Sequence, residues 1–407
     1  MTSKRVVILG STGSIGTQAL DVIEHLNRLE MNRQTTFHYQ VAGLAAGKNS
    51  DLLAQQARRF GVRALALADE SVAREQLPAE LRQARRGMGA AEQLVRDVKP
   101  DLVIAAMVGL AGLPATLAAI EVCPQVAIAN KETLVAAGSV MVAASTRCML
   151  LPVDSEHSAV WQALSGIYPY EAVPVYPPCE DRHHQISRVL LTASGGPFRT
   201  WTPDQIRSAT RADALKHPTW RMGGKVTIDS ATLINKTLEL IEAHWLFGLG
   251  PERLGAIVHP QSIVHAIVET VDGAALAQLG MPDMKTPIQL ALTYPARDQG
   301  LCPRMDFHTL RSLDFEQVDE GRFPGAALWR ECIGPGKSDT TRGAILNAAN
   351  EEAVNRFLDD SRSPMPLTRI SELSIGALES VPSRRCHSLA DVMASDRAAR
   401  EWVKSRL

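Results

Sequence analysis

Arg5-Val6-Val7-Ile8-Leu9-Gly10-Ser11-Thr12-Gly13-Ser14-Ile15-Gly16 is the stretch that decides the fold. A β-rich run meets a glycine turn, and Ala19, Leu20, Ile23 and Leu26 then recur at helical spacing. Strand, glycine turn and helix in that order form a dinucleotide fingerprint. The spacing is G-x-x-G-x-x-G rather than G-x-G-x-x-G. The physics survives that change: small residues admit a pyrophosphate to the backbone, and the amides at the helix N-terminus bind it. The alternative is a tight turn before an ordinary helix.

Outward from this unit, β-rich runs at 40–45, 64–68, 101–107, 126–129 and 149–153 alternate with helical segments. That alternation predicts a right-handed, Rossmann-like parallel sheet. Ligands gather at the carboxyl ends of such strands. Those ends are Gly10, Ala46, Val108-Gly109, Asn130-Lys131-Glu132 and Asp154-Ser155-Glu156. After the second strand an NAD-binding protein commonly places Asp or Glu. This chain has Gly47-Lys48-Asn49, and a cation beside an amide suits a 2′-phosphate, which favours NADP. Asn130-Lys131-Glu132 reads equally as a helix cap and solvated first turn.

Asp154 and Glu156 follow the apolar run Cys148-Met149-Leu150-Leu151. On extended backbone, carboxylates two residues apart project from one side and make a half-site for a hard divalent cation. A polar loop is the bland alternative. On such a strand Ser155 points away from both, so any Ser155 contact with substrate requires the chain to turn there.

Downstream, residues 181–185 read as a polar connection and 189–192 as a strand ending in Ser194-Gly195-Gly196, an anion nest or a plain loop. Residues 199–216 are polar with one short helical pattern, leading to His217-Pro218-Thr219-Trp220-Arg221-Met222-Gly223-Gly224. This reads as a lid, or as a surface excursion with Trp220 in the core. In 229–242 a helix is expected to start at Ser230 or Thr232 as N-cap. Ile234, Leu238, Ile241 and Trp245 share one face, with Asn235, Lys236 and Glu239 roughly opposite. The polar face suits phosphate at the first turn and metal at Glu239, or is a solvated face with a Lys236–Glu239 ion pair. His259 and His265, six apart on strand-like sequence, fall on one side and suggest a metal pair, though structural histidines are the stronger reading, as for His244. Helical patterns at 325–332, 341–358, 367–378 and 389–403 suggest a small C-terminal bundle.

At 407 residues, two or three domains are expected. They are an NADPH-binding domain 1–153, a catalytic α/β domain 154–295 with a lid at about 195–224, a linker 296–319 and a helical domain 320–407. A formal net charge of −1 gives no reason to expect nucleic acid or an anionic membrane as partner. Six scattered cysteines without a C-x-x-C pair read as reduced thiols. The N-terminus enters a strand at once, leaving no room for a signal peptide, and no apolar run reaches bilayer length. A soluble cytoplasmic protein is expected.

The ordered set Gly10 to Gly16, Ala46 to Asn49, Ala129 to Glu132, Pro152 to His157, Thr192 to Phe198, His217 to Lys225, Asp229 to Glu242, His259 to His265 and Gly280 to Pro287 resembles the 1-deoxy-D-xylulose 5-phosphate reductoisomerase family. The resemblance runs from residue 4 to the C-terminus. It implies an NADPH-dependent homodimeric enzyme of isoprenoid synthesis that needs Mg²⁺, Mn²⁺ or Co²⁺. It implies NADPH contacts at Thr12, Gly13, Ser14, Ile15, Gly47, Lys48, Asn49, Asn130, Glu132 and Gly223. Asp154, Glu156 and Glu239 would hold the metal, with Lys131 also catalytic. Ser194, Ser230, Asn235 and Lys236 would grip the substrate phosphate, with Lys131, Ser155, Glu156, His217 and Glu239 completing the substrate site. Trp220 and Met222 would belong to the lid.

Two residues depart from the family pattern. Thr237 replaces the usual glycine after Asn235-Lys236, on the packing side of the helix, and Met281 stands where some relatives carry Glu. The implied chemistry is a skeletal rearrangement by retro-aldol cleavage and re-aldolisation, followed by hydride transfer to the resulting aldehyde. Two rival readings explain less. Another metal-assisted hydroxyacid dehydrogenase leaves the phosphate set idle, and a non-catalytic NADP sensor leaves the carboxylates idle.

Overall fold

The computed structural model describes residues 2–32, 35, 37–167, 185–220, 222–359 and 361–407. The expected polar connection at 181–184, Cys179 and the lid residue Arg221 lie outside the described residues.

The first sheet holds β1 (Thr2–Leu9), β2 (Phe37–Ala46), β3 (Leu65–Leu67), β4 (Arg85–Arg86), β5 (Leu102–Ala105), β6 (Gln125–Ile128) and β7 (Met149–Pro152). All pairings are parallel, in the spatial order β4-β3-β2-β1-β5-β6-β7. Helices α1 (Ser14–Met31), α2 (Ser50–Phe60), α3 (Ala90–Val98), α4 (Leu113–Val122) and α5 (Lys131–Ala144) provide connections. Val6, Val7, Ile8 and Leu9 are fully buried, as a strand covered on both faces requires. Strand order reverses between β1 and β5, the switch point where a crevice opens. The two-arginine strand β4 extends the edge by pairing with β3, and no hydrophobic pattern announces it.

The sequence predicts extended backbone through Asp154-Ser155-Glu156, and here the structure differs. Asp154 is the N-cap of α6 (Ser155–Leu164), its side chain accepting from the Ser155 N–H at 3.1 Å. The strand ends at Pro152, so the chain turns where a Ser155 contact requires it. Both carboxylates sit at a helix N-terminus, whose dipole favours negative charge.

The second sheet comprises β8 (Ile186–Ala193), β9 (Leu254–Val258), β10 (Val264–Thr270) and β11 (Ala275–Leu279), in the order β11-β10-β8-β9. Its β8–β9 pair is parallel and the other two are antiparallel. The region expected to carry one short helix carries two, α7 (Pro203–Arg207) and α8 (Arg211–Ala214), each with a threonine capping box. The expected helix from Ser230 is also divided. Ser230 falls in the last turn of α9 (Gly224–Ala231), Leu233 takes a left-handed conformation at φ 56°, and α10 (Ile234–Phe247) starts anew. Neither Ser230 nor Thr232 therefore caps α10. Helix α10 packs on α5 and on the second sheet, which also receives α6.

Helix α11 (Lys285–Thr293) returns to the first sheet, where Lys4 Nζ and the Tyr39 hydroxyl donate to the Leu292 carbonyl at 3.1 and 3.3 Å. Beyond it, the expected helix at 325–332 is a 3-10 helix, Pro324–Glu331. Helices α12 (Arg342–Leu358), α13 (Thr368–Ser380) and α14 (Leu389–Lys404) form the C-terminal bundle. The architecture is thus a Rossmann-like parallel sheet, a central α/β unit and a helical bundle.

Thr237 does lie on the packing side: it is fully buried, and its hydroxyl donates to the Gly325 carbonyl at 2.7 Å. Thr237→Gly is expected to cost about 1–2 kcal/mol through the unpaired carbonyl and a freer unfolded chain. A lowered urea midpoint with kcat changed less than about twofold is the expected measurement, since the side chain faces away from Glu239.

Candidate active site

A cavity of 770 Å³ runs from the β1 glycine turn and the β5 exit to the ends of β8 and α9. Gly13, Ser14, Ile15, Asn130, Glu132 and Gly223 line its nucleotide side. A Cβ at Gly16 would lie 2.4 Å from the Gly10 carbonyl oxygen, so the turn is drawn tight under a cradle open to a pyrophosphate. Asn130 caps α5 and also donates to the Gly109 carbonyl at 2.9 Å. Its cap role and its place on the cavity wall therefore coexist. Gly47, Lys48 and Asn49 are exposed at the end of β2, outside the cavity lining. Asn49 Oδ1 accepts from Leu52 N–H at 3.1 Å as the cap of α2. Thr12 is likewise off the lining, in the turn after β1.

At the cavity's centre, ligand oxygens of Asp154, Glu156 and Glu239 lie within 4.8 Å of one another. Two ammonium groups sit among them. Lys131 Nζ is 2.6 Å from Asp154 Oδ2 and 3.1 Å from Glu239 Oε1, and Lys236 Nζ is 2.8 Å from Glu156 Oε1 and also contacts Glu239. The alternative of a solvated Lys236–Glu239 pair fails on burial, since their side chains are 5% and 1% exposed. Burial opposes the charge on Lys131, but Asp154, Glu239, Glu242 and Glu156 outweigh it and hold its pKa well above the ordinary lysine value. Burial and then the repulsion of Glu156 raise Glu239 to about 7, against the pull of Lys131 and Lys236. Three hard oxygen donors with one negative charge in excess of their lysines fit a divalent cation.

A second cluster, Asp154, His157 and Glu242, also brings donors within 4.8 Å, but it is sealed. His157 and Glu242 are 0% and 1% exposed and neither lines the cavity. The His157 Nε2–H donates to the Glu239 carbonyl at 2.8 Å, leaving Nδ1 facing Glu242 Oε2 at 3.4 Å. Burial lowers His157 to about 4, and burial with Asp154 repulsion raises Glu242 well above the carboxylate range. Both shifts favour a neutral imidazole facing a protonated carboxyl. The pair braces α6 against α10, and sequence reasoning missed it because its partners meet only through tertiary packing.

At the far end, His217 Nε2 lies 3.1 Å from both the Ser194 and the Ser230 hydroxyls. Its Nδ1 accepts from the Thr219 and Trp220 N–H groups at 3.2 and 2.9 Å, which places the ring proton on Nε2. Burial depresses the His217 pKa and favours that neutral form. Ser194, Ser230, Asn235 and Lys236 all line the cavity, but they divide into two groups. Ser194 and Ser230 meet at His217, whereas Asn235 and Lys236 turn toward Glu239. Ser155 lines the cavity and donates to Glu156 Oε2 at 2.5 Å.

His244 and His259 are structural as expected, bonded through Nδ1 to the Leu249 and Asp314 carbonyls at 2.7 and 2.8 Å. His265, also buried, lines the cavity, 6.3 Å from Trp220 between ring centroids. A turn with Ser262 at φ 53° separates His259 from β10, so the two histidines do not share one strand face. Lys225, Pro282, Asp283 and Met284 also line the cavity without having been singled out for the site. The order of the 280–287 motif gives the only sequence signal for the last three.

Comparison with known proteins bears on the whole chain. Three family models match: 1-deoxy-D-xylulose 5-phosphate reductoisomerase over residues 6–138, its C-terminal domain over 150–247, and the DXP reductoisomerase C-terminal domain over 279–402. The reductoisomerase of Symbiobacterium thermophilum is 45% identical over 412 residues, covering 99% of this chain and 98% of its own. That of Phocaeicola vulgatus is 42% identical over 402 residues, with 97% of each chain covered. The solved Zymomonas mobilis reductoisomerase in complex with NADPH is 38% identical with a TM-score of 0.85, covering 100% of this chain and 99% of its own. A DOX-P reductoisomerase crystal structure with NADPH, fosmidomycin and magnesium is 33% identical with a TM-score of 0.87, covering 99% and 98%. Matched along its length in sequence and in fold, the chain belongs to the 1-deoxy-D-xylulose 5-phosphate reductoisomerase family.

Proposed function

We propose that this cavity converts 1-deoxy-D-xylulose 5-phosphate and NADPH to 2-C-methyl-D-erythritol 4-phosphate, in a divalent-metal-dependent rearrangement and reduction of the non-mevalonate isoprenoid pathway. The observation that carries this reading is the cluster of half-buried Asp154 and Glu156 with buried Glu239, between a nucleotide turn and a serine–histidine anion site. Those three residues would hold Mg²⁺ or Mn²⁺, with Co²⁺ also suited, and the cation when bound supplies Lewis-acid polarisation to neighbouring substrate oxygens. Thr12, Gly13, Ser14, Ile15, Gly47, Lys48, Asn49, Asn130, Glu132 and Gly223 are assigned to NADPH, whose chemistry is hydride transfer.

The remaining work falls to the chain's own groups. Lys131, held charged beside the carboxylates, donates toward an oxygen that gains negative charge during rearrangement. Ser194, Ser230 and His217 anchor the phosphate, with Asn235 and Lys236 turning from Glu239 to join them. Anchoring the phosphate away from the reacting carbons keeps the fragments oriented between steps. Residues 195–224 act as the lid, with Trp220 and Met222 over the site and water excluded beneath.

The division at 1–153, 154–295, 296–319 and 320–407 is proposed with this reading. So is a cytoplasmic homodimer. No helix of the described residues is long and apolar enough to cross a membrane.

NADPH oxidation dependent on both 1-deoxy-D-xylulose 5-phosphate and a divalent cation tests the assignment, and no such turnover by purified protein overturns it. His217→Asn is a sharper probe of the phosphate end. Its carbonyl oxygen can still accept from the Trp220 N–H, while the reach to Ser194 and Ser230 is lost. The expected result is a substrate KM raised about tenfold or more with the NADPH KM changed less than about twofold.

A further inference from the structure

A chain of buried polar contacts leads from the C-terminal bundle to the nucleotide side of the cavity. Asn350, on α12, donates through Nδ2 to Asp229 Oδ1 at 2.8 Å. Asp229 Oδ2 lies 2.7 Å from Lys225 Nζ, which lies 3.0 Å from Glu132 Oε1. Asn350 is 0% exposed, Asp229 1% and Glu132 4%. Lys225 and Glu132 line the cavity, whereas Asn350 does not.

Two features separate this chain from ordinary packing. Asn350 Oδ1 is buried without a hydrogen-bond partner among the described residues. Leucine would fill comparable space without that desolvation cost, so the amide is worth its place only for what Nδ2 holds. The next residue, Glu351, reaches the same wall from another side. Its Oε1 would lie 2.8 Å from a Cβ at Gly109, and the Gly109 carbonyl accepts from Asn130. Consecutive residues of one bundle helix thus back both Asn130 and Glu132.

We propose that Asn350 is a positioning residue for the cofactor half of the site, acting through Asp229 and Lys225 to fix the Glu132 carboxylate. The proposal rests on the reading of Asn130 and Glu132 as NADPH contacts. Asp229 also lies in the last turn of α9, whose N-cap is Gly223 on the cofactor side and whose C-terminal turn carries Ser230 at the phosphate end. Losing the Asn350 contact therefore loosens the cofactor side first, where Lys225 and Glu132 follow Asp229. Ser230 keeps its separate tie to His217.

The test titrates full-length wild type, Asn350→Ala, Glu132→Gln and the double variant with NADPH by fluorescence, alongside steady-state KM values. Asn350→Ala is expected to raise the NADPH Kd about tenfold or more, the effect of one buried hydrogen bond to a charged group. The substrate KM is expected to change less than about twofold. In the Glu132→Gln background the same substitution is expected to add less than about twofold, because the route is already cut. Asn347→Ala, one turn away on α12, serves as the packing control and is expected to leave the NADPH Kd unchanged.

An unchanged Kd in Asn350→Ala, full additivity with Glu132→Gln, or an equal rise in Asn347→Ala would each overturn the proposal. If Asn350→Ala does not fold, Asn350→Leu, which fills the space and removes the donor, is judged by the same criteria. Wild-type protein that binds no NADPH would instead defeat the underlying reading of the site, and the proposal with it.

Discussion

Glu239→Gln is expected to abolish the divalent-metal response while leaving the fold intact. Activity with 1-deoxy-D-xylulose 5-phosphate and NADPH should fall by about a thousandfold or more, a loss of about 4 kcal/mol in transition-state stabilisation. Stability should move differently. Three carboxylates and two lysines leave the cluster one negative charge in excess. Above about pH 7, where Glu239 is ionised, removing its buried charge balances the cluster, so the metal-free variant should melt no lower than metal-free wild type there. Wild type should then gain stability on adding Mg²⁺, as any ligand selective for the native state confers, and the variant should not.

The pH dependence follows from the same group. Glu239 titrates near 7 in the absence of a cation. Ligation needs the ionised carboxylate, so Mg²⁺ affinity in wild type should weaken as pH falls below about 7 and level off above it. Metal-dependent turnover within tenfold of wild type in Glu239→Gln would remove Glu239 from the metal site.

The nucleotide half was legible because local signals agreed there. Val6 to Leu9 give an apolar run, Gly10 to Gly16 a turn, and Ala19 to Leu26 a helical period, and no distant residue is needed to interpret them. Asp154-Ser155-Glu156 was legible as chemistry but not as geometry. An Asp following an apolar strand and leading into Val160, Trp161 and Leu164 is also a helix N-cap signal, and the helix prevailed. Nothing local announces Leu233, because a left-handed leucine is held only by its surroundings. The break it makes lets Ser230 and Lys236 belong to different helices. Asn347 and Asn350 lie in the helical pattern at 341–358, where nothing local singles them out. Their complete burial is a fact of how α12 docks, and no periodicity encodes it.

Lys131 separates two roles that most substitutions would confound. Its ammonium lies among Asp154, Glu239 and Asn235, in the space around which a cation must also gather its ligands. Lysine and metal therefore compete for the same carboxylates. Lys131→Met leaves three carboxylates facing one lysine, and breaking a buried pair in this way costs about 3–5 kcal/mol in metal-free protein. Saturating Mg²⁺ should recover most of that loss, because the dication neutralises what the ammonium did. The variant should also bind Mg²⁺ at least about tenfold more tightly, since no pairing has to be broken first. Turnover should nevertheless fall by about a hundred- to a thousandfold, because the cation restores charge balance but not the donor placed for the developing oxyanion. Calorimetric Mg²⁺ titration, melting with and without the cation and steady-state rates together decide the matter. Tighter metal binding with lost turnover marks Lys131 as the catalytic donor. Parallel loss of both would show that the lysine builds the metal site instead of competing for it.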